Sequence, residues 1–207
     1  VARSLVGDDK SAVSSELAAN ERLPTDLLDI LVEDPRTWSN IDRNPAALER
    51  HLTHIAYGLL AAGGVTSNIL THVCTHPATS VSVLLRIHQA DASESVRRNL
   101  AVNPHLPTDL LREFAASEDE YLRAAVARNP AAPAALLEDL RGDPSHMVRR
   151  AVLGRRHLPA GWLDSFLDDP HKSVRLTAEQ RLEDRKRRRA RGNPVEEIDL
   201  DNLGASQ

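Results

Sequence analysis

Four histidines and the only cysteine lie in the middle of the chain. His51 and His54 stand three residues apart, and His72 and His76 stand four apart with Cys74 between them. Helical i, i+4 histidines can share a metal ion, and a thiolate could add a ligand. The spacing matches no zinc signature, however, and on a helix Cys74 points away from the face carrying His72 and His76. The histidines therefore read as surface and inter-helix residues, and no metal or other cofactor is expected. A second set could grip phosphate or an acidic partner: Arg97, Arg123, Arg149 and Arg175 recur every 26 residues. Stacked repeats would align them in a basic column. The competing reading is that each arginine forks onto an aspartate of an inter-helix turn, since Asp91, Asp143 and Asp169 recur in step. The pairing reading is preferred. Arg98, Arg150 and Arg156 lie outside the column. A basic run adds Arg185, Lys186, Arg187, Arg188, Arg189 and Arg191. Glycine-rich phosphate loops, nucleophile elbows, H-E-x-x-H and recognisable paired-carboxylate motifs are missing, so catalysis is not expected.

The elements that must carry these residues are written in the repeat itself. Leu100, Val126, Val152 and Ala178 keep the 26-residue step, as do Pro107, Pro133 and Pro159, and Leu85, Leu111, Leu137 and Leu163. Such internal periodicity fixes the architecture before local propensity does. Each unit reads as two short helices. Pro107 can occupy the first helical position, with Asp109 in the first turn, and Leu110, Leu111 and Phe114 share one face. The second helix presents Val96 and Leu100. It stops at Asn103-Pro104, because proline pushes its predecessor out of the helical region, and Asn129-Pro130 repeats that stop. Arg155-Arg156 replaces it in the next unit, where the stop is expected to be lost.

Upstream the pattern is looser. Leu17, Asn20, Pro24, Leu28 and Asp34-Pro35 fit one copy, and Leu5 and Asp8 suit the end of a preceding one. Residues 36–80 read as degenerate repeats with an insertion: a longer helix from about Ala46 to Ala62, a break at Gly63-Gly64, and another helix from near Ser67. The expected organisation is repeats over 1–35, the irregular segment 36–80, regular repeats over 81–182, a basic helical extension over 183–192 and an acidic tail over 193–207.

The string V-R-x-x-(V/L)-A-x-N-P, followed by x-x-P-x-x-L-L and Asp-Pro, resembles the variant leucine-rich repeat. The likeness is strong over 81–182, fair over 1–35 and poor between. It implies an all-α, right-handed α-solenoid of two-helix repeats, here of about 26 residues. The family's unit is usually two residues shorter, which leaves open whether the second helix is a 3₁₀ turn or a full α-helix as in HEAT-like repeats. Some members carry a cysteine cluster for an iron–sulfur centre; Cys74 alone cannot build one.

Composition agrees with an all-helical core: aromatics are 3% of 207 residues and hydrophobic residues 41%, so the core must be Leu, Val and Ala. A single cysteine excludes an internal disulfide framework and favours a reducing, cytoplasmic setting. No apolar run reaches membrane-span length. Over 181–192 seven Lys/Arg face Glu183 and Asp184, leaving +5, and Glu196, Glu197, Asp199 and Asp201 follow. With the whole chain at −4, residues 1–180 carry −5, so the repeat body is not a general nucleic-acid surface. The expectation is a non-catalytic scaffold for a protein or peptide, with nucleic-acid contact through the basic run as the alternative. A chain beginning inside a repeat would also expose an apolar stacking face that a second copy could cover.

Overall fold

A computed structural model describes residues 11–63, 68–90, 93–159 and 161–191, with Ser11, Ala12 and Arg189 among them by their backbone only. Leu5, Asp8, Gly64, Ser67, Asp91 and the acidic stretch 193–207 lie outside this set. Every regular element among the described residues is helical, so the chain is an all-α repeat protein. It divides into two compact units between Pro107 and Thr108.

The first unit contains α1 (Ser11–Ala19), α2 (Thr25–Leu31), a 3₁₀ turn (Pro35–Thr37), α3 (Trp38–Ile41), α4 (Glu49–Ala61), α5 (Asn68–Thr75), α6 (Val81–Ala90) and α7 (Glu94–Ala101). Alternate helices stack: α1 on α3, α4 on α6, and α5 on α7. Within residues 36–80 the long helix α4 ends where Gly63 takes a left-handed φ of 71°. Gly58 of α4 lies against the buried Trp38 ring, where a Cβ would come within 2.3 Å of the indole. Trp38 in turn donates its Nε1–H to the Val32 carbonyl at 2.8 Å.

The second unit contains α8 (Thr108–Ala115), α9 (Glu120–Arg128), α10 (Ala134–Arg141), α11 (His146–Leu153), α12 (Trp162–Ser165) and α13 (Lys172–Ala190). The stacking of α9 on α11 and α11 on α13 builds its core. In this unit the second helices, α9, α11 and α13, are α-helical. Side chains that cap these helices also recur: Asp119 accepts from the N–H groups of Tyr121 and Leu122, and Ser145 from that of Met147, each cap contributing about 1 kcal/mol.

Four details depart from the sequence reading. Proline sits at the N-cap instead of the first helical position: Pro133 has φ −62° and ψ 150°, outside the helix it precedes. In the last repeat α12 begins only at Trp162, after left-handed Gly161. The buried residues of α6 are Val83, Leu84 and Ile87, not Leu85, because one extra residue separates His76 from Asn103 and shifts the register by one. Finally, α13 runs unbroken past residue 182, so the basic run continues the last repeat helix.

Candidate functional site

The arginine column is mostly a set of seams. Arg123 donates from Nε and Nη2 to Asp143 at 2.7 and 2.9 Å, and from Nη1 to the Ser117 and Glu118 carbonyls at 2.9 and 3.0 Å. Arg149 repeats this geometry on Asp169, at 2.7 and 2.8 Å, and on the Asp143 and Pro144 carbonyls, at 2.8 and 3.0 Å. Asp143 and Asp169 are almost fully buried, and the Arg149 guanidinium holds the Asp169 carboxyl below its ordinary range. Each arginine spends four of its five N–H donors in the seam. The two ends of the column differ. Among the described residues Arg175 binds only the Asp169 and Pro170 carbonyls, at 2.7 and 3.1 Å; Val195 stands twenty residues on in the sequence, where the preceding copies have aspartate. Ser117 stands at that distance from Arg97, whose Nε is buried with no hydrogen-bond partner among the described residues. Asp91 lies outside those residues.

The other basic candidates are dispersed. Arg98 pairs with Glu94 at 3.0 Å, and Arg150 and Arg156 are exposed. Along α13, Lys186 pairs with Glu183 at 2.8 Å and Arg187 lies 3.9 Å from Asp184. Lys186 holds the Glu183 carboxyl below its ordinary range. Arg185 is half-buried, while Arg188 and Arg191 are exposed. Surface pairs of this kind contribute about 0–1 kcal/mol, so the run is a solvated helix face with several cations to spare.

The histidines do not converge. His51 is buried; its Nδ1 accepts the Leu48 N–H at 2.9 Å and its Nε2 meets Asp29 at 2.8 Å. Burial pushes its pKa down, and the Nδ1 acceptor fixes the neutral Nε2–H tautomer. Asp29 is itself pulled down to about 2, chiefly by the Arg50 guanidinium. His54 packs edge-on to Trp38 and lies 3.9 Å from Glu33. His72 Nδ1 meets buried Asp42 at 2.8 Å; burial raises the Asp42 carboxyl against that contact. No group of three or more His, Cys, Asp or Glu side chains able to hold a metal occurs among the described residues. Cys74 is buried.

His76 has a role that its residue type concealed. In two repeats, Asn at the end of the second helix accepts the N–H two residues on and donates back to carbonyls of the preceding repeat. Asn44 takes Ala46 N–H at 2.9 Å and donates to Ala18 and Asn20 at 2.7 and 3.2 Å. Asn103 takes His105 N–H at 2.9 Å and donates to Cys74 and His76 at 2.7 and 3.1 Å. His76 performs the accepting half, its Nδ1 receiving Ala78 N–H at 3.0 Å; burial lowers its pKa. Arg155 performs the donating half, reaching the Ala127 and Asn129 carbonyls at 2.9 and 2.7 Å. The expected loss of the stop at Arg155 is therefore corrected: a longer side chain makes the same inter-repeat bridge. The following His76-Pro77, a variant of Asn-Pro, was the signal available in the sequence.

These are the joints of a helical repeat protein. The chain is similar to a solved structure described as "a leucine-rich repeat variant with a novel repetitive protein structural motif". Identity is 24%, the match covers 86% of this chain and 69% of that one, and the TM-score is 0.49. No protein-family model matches the chain, and no curated protein matches it. Among the described residues no helix is long and apolar enough to cross a membrane.

Proposed function

We propose that this chain is a non-catalytic repeat scaffold that binds a protein or peptide partner in the cytoplasm. The observation that carries the reading is the use made of the recurring polar residues: Arg123, Arg149, Asn44, Asn103 and Arg155 are all spent joining one repeat to the next. What remains for specificity is the set of side chains that do not recur, displayed on rigid stacked helices, which is how repeat proteins build binding surfaces. A nucleic-acid contact has the exposed cations of α13 to rest on, but not Arg123 or Arg149.

The test is affinity capture with the full chain from its native extract, followed by reconstitution of the recovered protein with the purified chain. The reading expects a defined partner that reassembles at fixed stoichiometry and dissociates on substitution of exposed, non-recurring residues. Recovery of general chaperones alone, with no complex on reconstitution, would count against it. Self-association through the first repeat belongs to the same reading, and sedimentation velocity of the chain alone tests it.

A further inference from the structure

One cleft of the second unit lies beside a seam and shares Arg155 with it. It measures about 290 Å³ and is lined by Arg128, Arg150, Ala151, Gly154, Arg155 and Arg156. Four of its six lining residues are arginines and none is acidic. None of the four takes part in an ion pair among the described residues. The larger cleft near Asp143 and Asp169 contrasts with it, since there Arg149 is already forked onto a carboxylate.

Four of the residues lining the cleft differ from their counterparts one repeat earlier, among other differences between the two repeats. Shifting by 26 residues, Arg150 replaces Ala124, Gly154 replaces Arg128, Arg155 replaces Asn129 and Arg156 replaces Pro130. Three arginines enter, and glycine removes the one side chain that would fill the space between them. Departures from an otherwise consistent local pattern mark functional positions. Arg155 is held firmly: its Nη1 is tied to two carbonyls at 2.9 and 2.7 Å, which leaves its other guanidinium edge uncommitted. Beside the cleft, Arg181 leans its Nη2 on the Arg156 carbonyl at 3.4 Å.

The helix C-termini at Arg128 and Leu153 offset part of the mutual repulsion of these cations, and the charge they leave selects the ligand. Elsewhere in this molecule one arginine fork plus one backbone N–H satisfies a whole carboxylate, as at Asp169. Four cations with no internal counterion call for a ligand carrying several negative charges in a small volume. At neutral pH a phosphate group carries about −1.5 to −2, and guanidinium forks fit its oxygens bidentately. The volume lies at the lower bound of about 300 Å³ for small-molecule sites, which suits a phosphorylated headgroup.

We propose that this cleft binds a phosphate-bearing small polyanion of the diphosphate class. Inorganic pyrophosphate and a nucleoside diphosphate share that chemistry, and the two are titrated separately. Equal affinities assign the site to the diphosphate alone; a tighter nucleoside diphosphate adds contacts beyond the cleft. The proposal does not depend on the scaffold having a protein partner.

Isothermal titration of the full chain with pyrophosphate tests it. The expected result is one site per chain, weakened about tenfold or more by Arg128→Gln with Arg150→Gln, and changed less than about twofold by Lys186→Gln with Arg187→Gln, where only diffuse charge is removed. Arg128 and Arg150 are exposed, so the melting temperature of the variant should hold. Should it fall, Arg150→Lys keeps the charge and removes the fork, and still weakens binding. Three outcomes overturn the proposal: no binding at low salt, equal losses in the two double variants, or citrate binding as tightly as pyrophosphate. Duplex RNA binding that requires Arg128 and Arg150, without pyrophosphate competition, also overturns it.

Discussion

Arg149→Ala is the perturbation that best measures what the repeating arginine does. Its side chain makes four hydrogen bonds of 2.7–3.0 Å, two to the Asp169 carboxylate and two to carbonyls of the preceding turn. The Asp169 side chain is 4% exposed, so removing the guanidinium leaves a buried carboxylate with the His171 N–H as its remaining donor. Breaking one partner of a buried pair costs about 3–5 kcal/mol. The column supplies an internal control. Among the described residues Arg175 makes the two carbonyl bonds but no aspartate fork, and Arg175→Ala should cost about 1–2 kcal/mol. The gap between the two variants in urea unfolding therefore measures the aspartate. Acid adds a second reading. Asp169 has its folded-state pKa depressed, chiefly by Arg149. The stability it contributes is present above the unfolded carboxyl value of about 4 and lost as pH falls through the folded one. The deficit of Arg149→Ala should then shrink as the solution is acidified. Replacing both partners with Arg149→Met and Asp169→Leu should recover most of the loss. Equal costs for Arg149→Ala and Arg175→Ala, below about 1 kcal/mol as for a surface pair, would refute the seam.

Four further outcomes follow from the same geometry. Asn103→Ala removes donors to two carbonyls and an acceptor for His105 N–H, and should cost about 2–3 kcal/mol by chemical denaturation. Arg155→Asn restores the residue found at Asn103 and should change stability by less than about 1 kcal/mol. His51 and His76 both have depressed folded-state pKa values, so their contribution is complete above the unfolded value of about 6.5 and declines as pH falls below it; His76→Asn should flatten that slope in melting-temperature measurements. Gly58→Ala drives a Cβ to 2.3 Å from the Trp38 ring and should destabilise by about 1–3 kcal/mol, with a change in tryptophan fluorescence.

The architecture was legible because burial follows the period: Leu100, Val126, Val152 and Ala178, each 26 residues apart, are all fully buried. The preference for arginine–aspartate pairing was legible too, since Arg123 and Arg149 each meet an aspartate twenty residues on. The register slip at Leu84 was not, because a 27-residue interval between His76 and Asn103 looks like noise until helices are stacked. His76 and Arg155 were misread for a different reason. His76 was placed only among surface and inter-helix histidines, without its accepting role, and Arg155 was read as a broken stop, whereas the backbone N–H and carbonyls at that position accept any side chain of suitable reach. The Arg128 to Arg156 cleft is assembled from residues up to 28 apart in sequence. A search for what recurs passes over it, and subtracting the repeat from itself would have found it.

The most direct test of the claim that the repeated arginines are joints and not a ligand surface is the arginine Nε–Hε region of an NMR spectrum, recorded with and without duplex RNA. Arg123 and Arg149 should exchange slowly with water and keep their shifts at every RNA and salt concentration, while exposed Arg188 exchanges rapidly. Exchange of Arg123 and Arg149 as fast as that of Arg188, with shifts that move on RNA addition, would contradict the account.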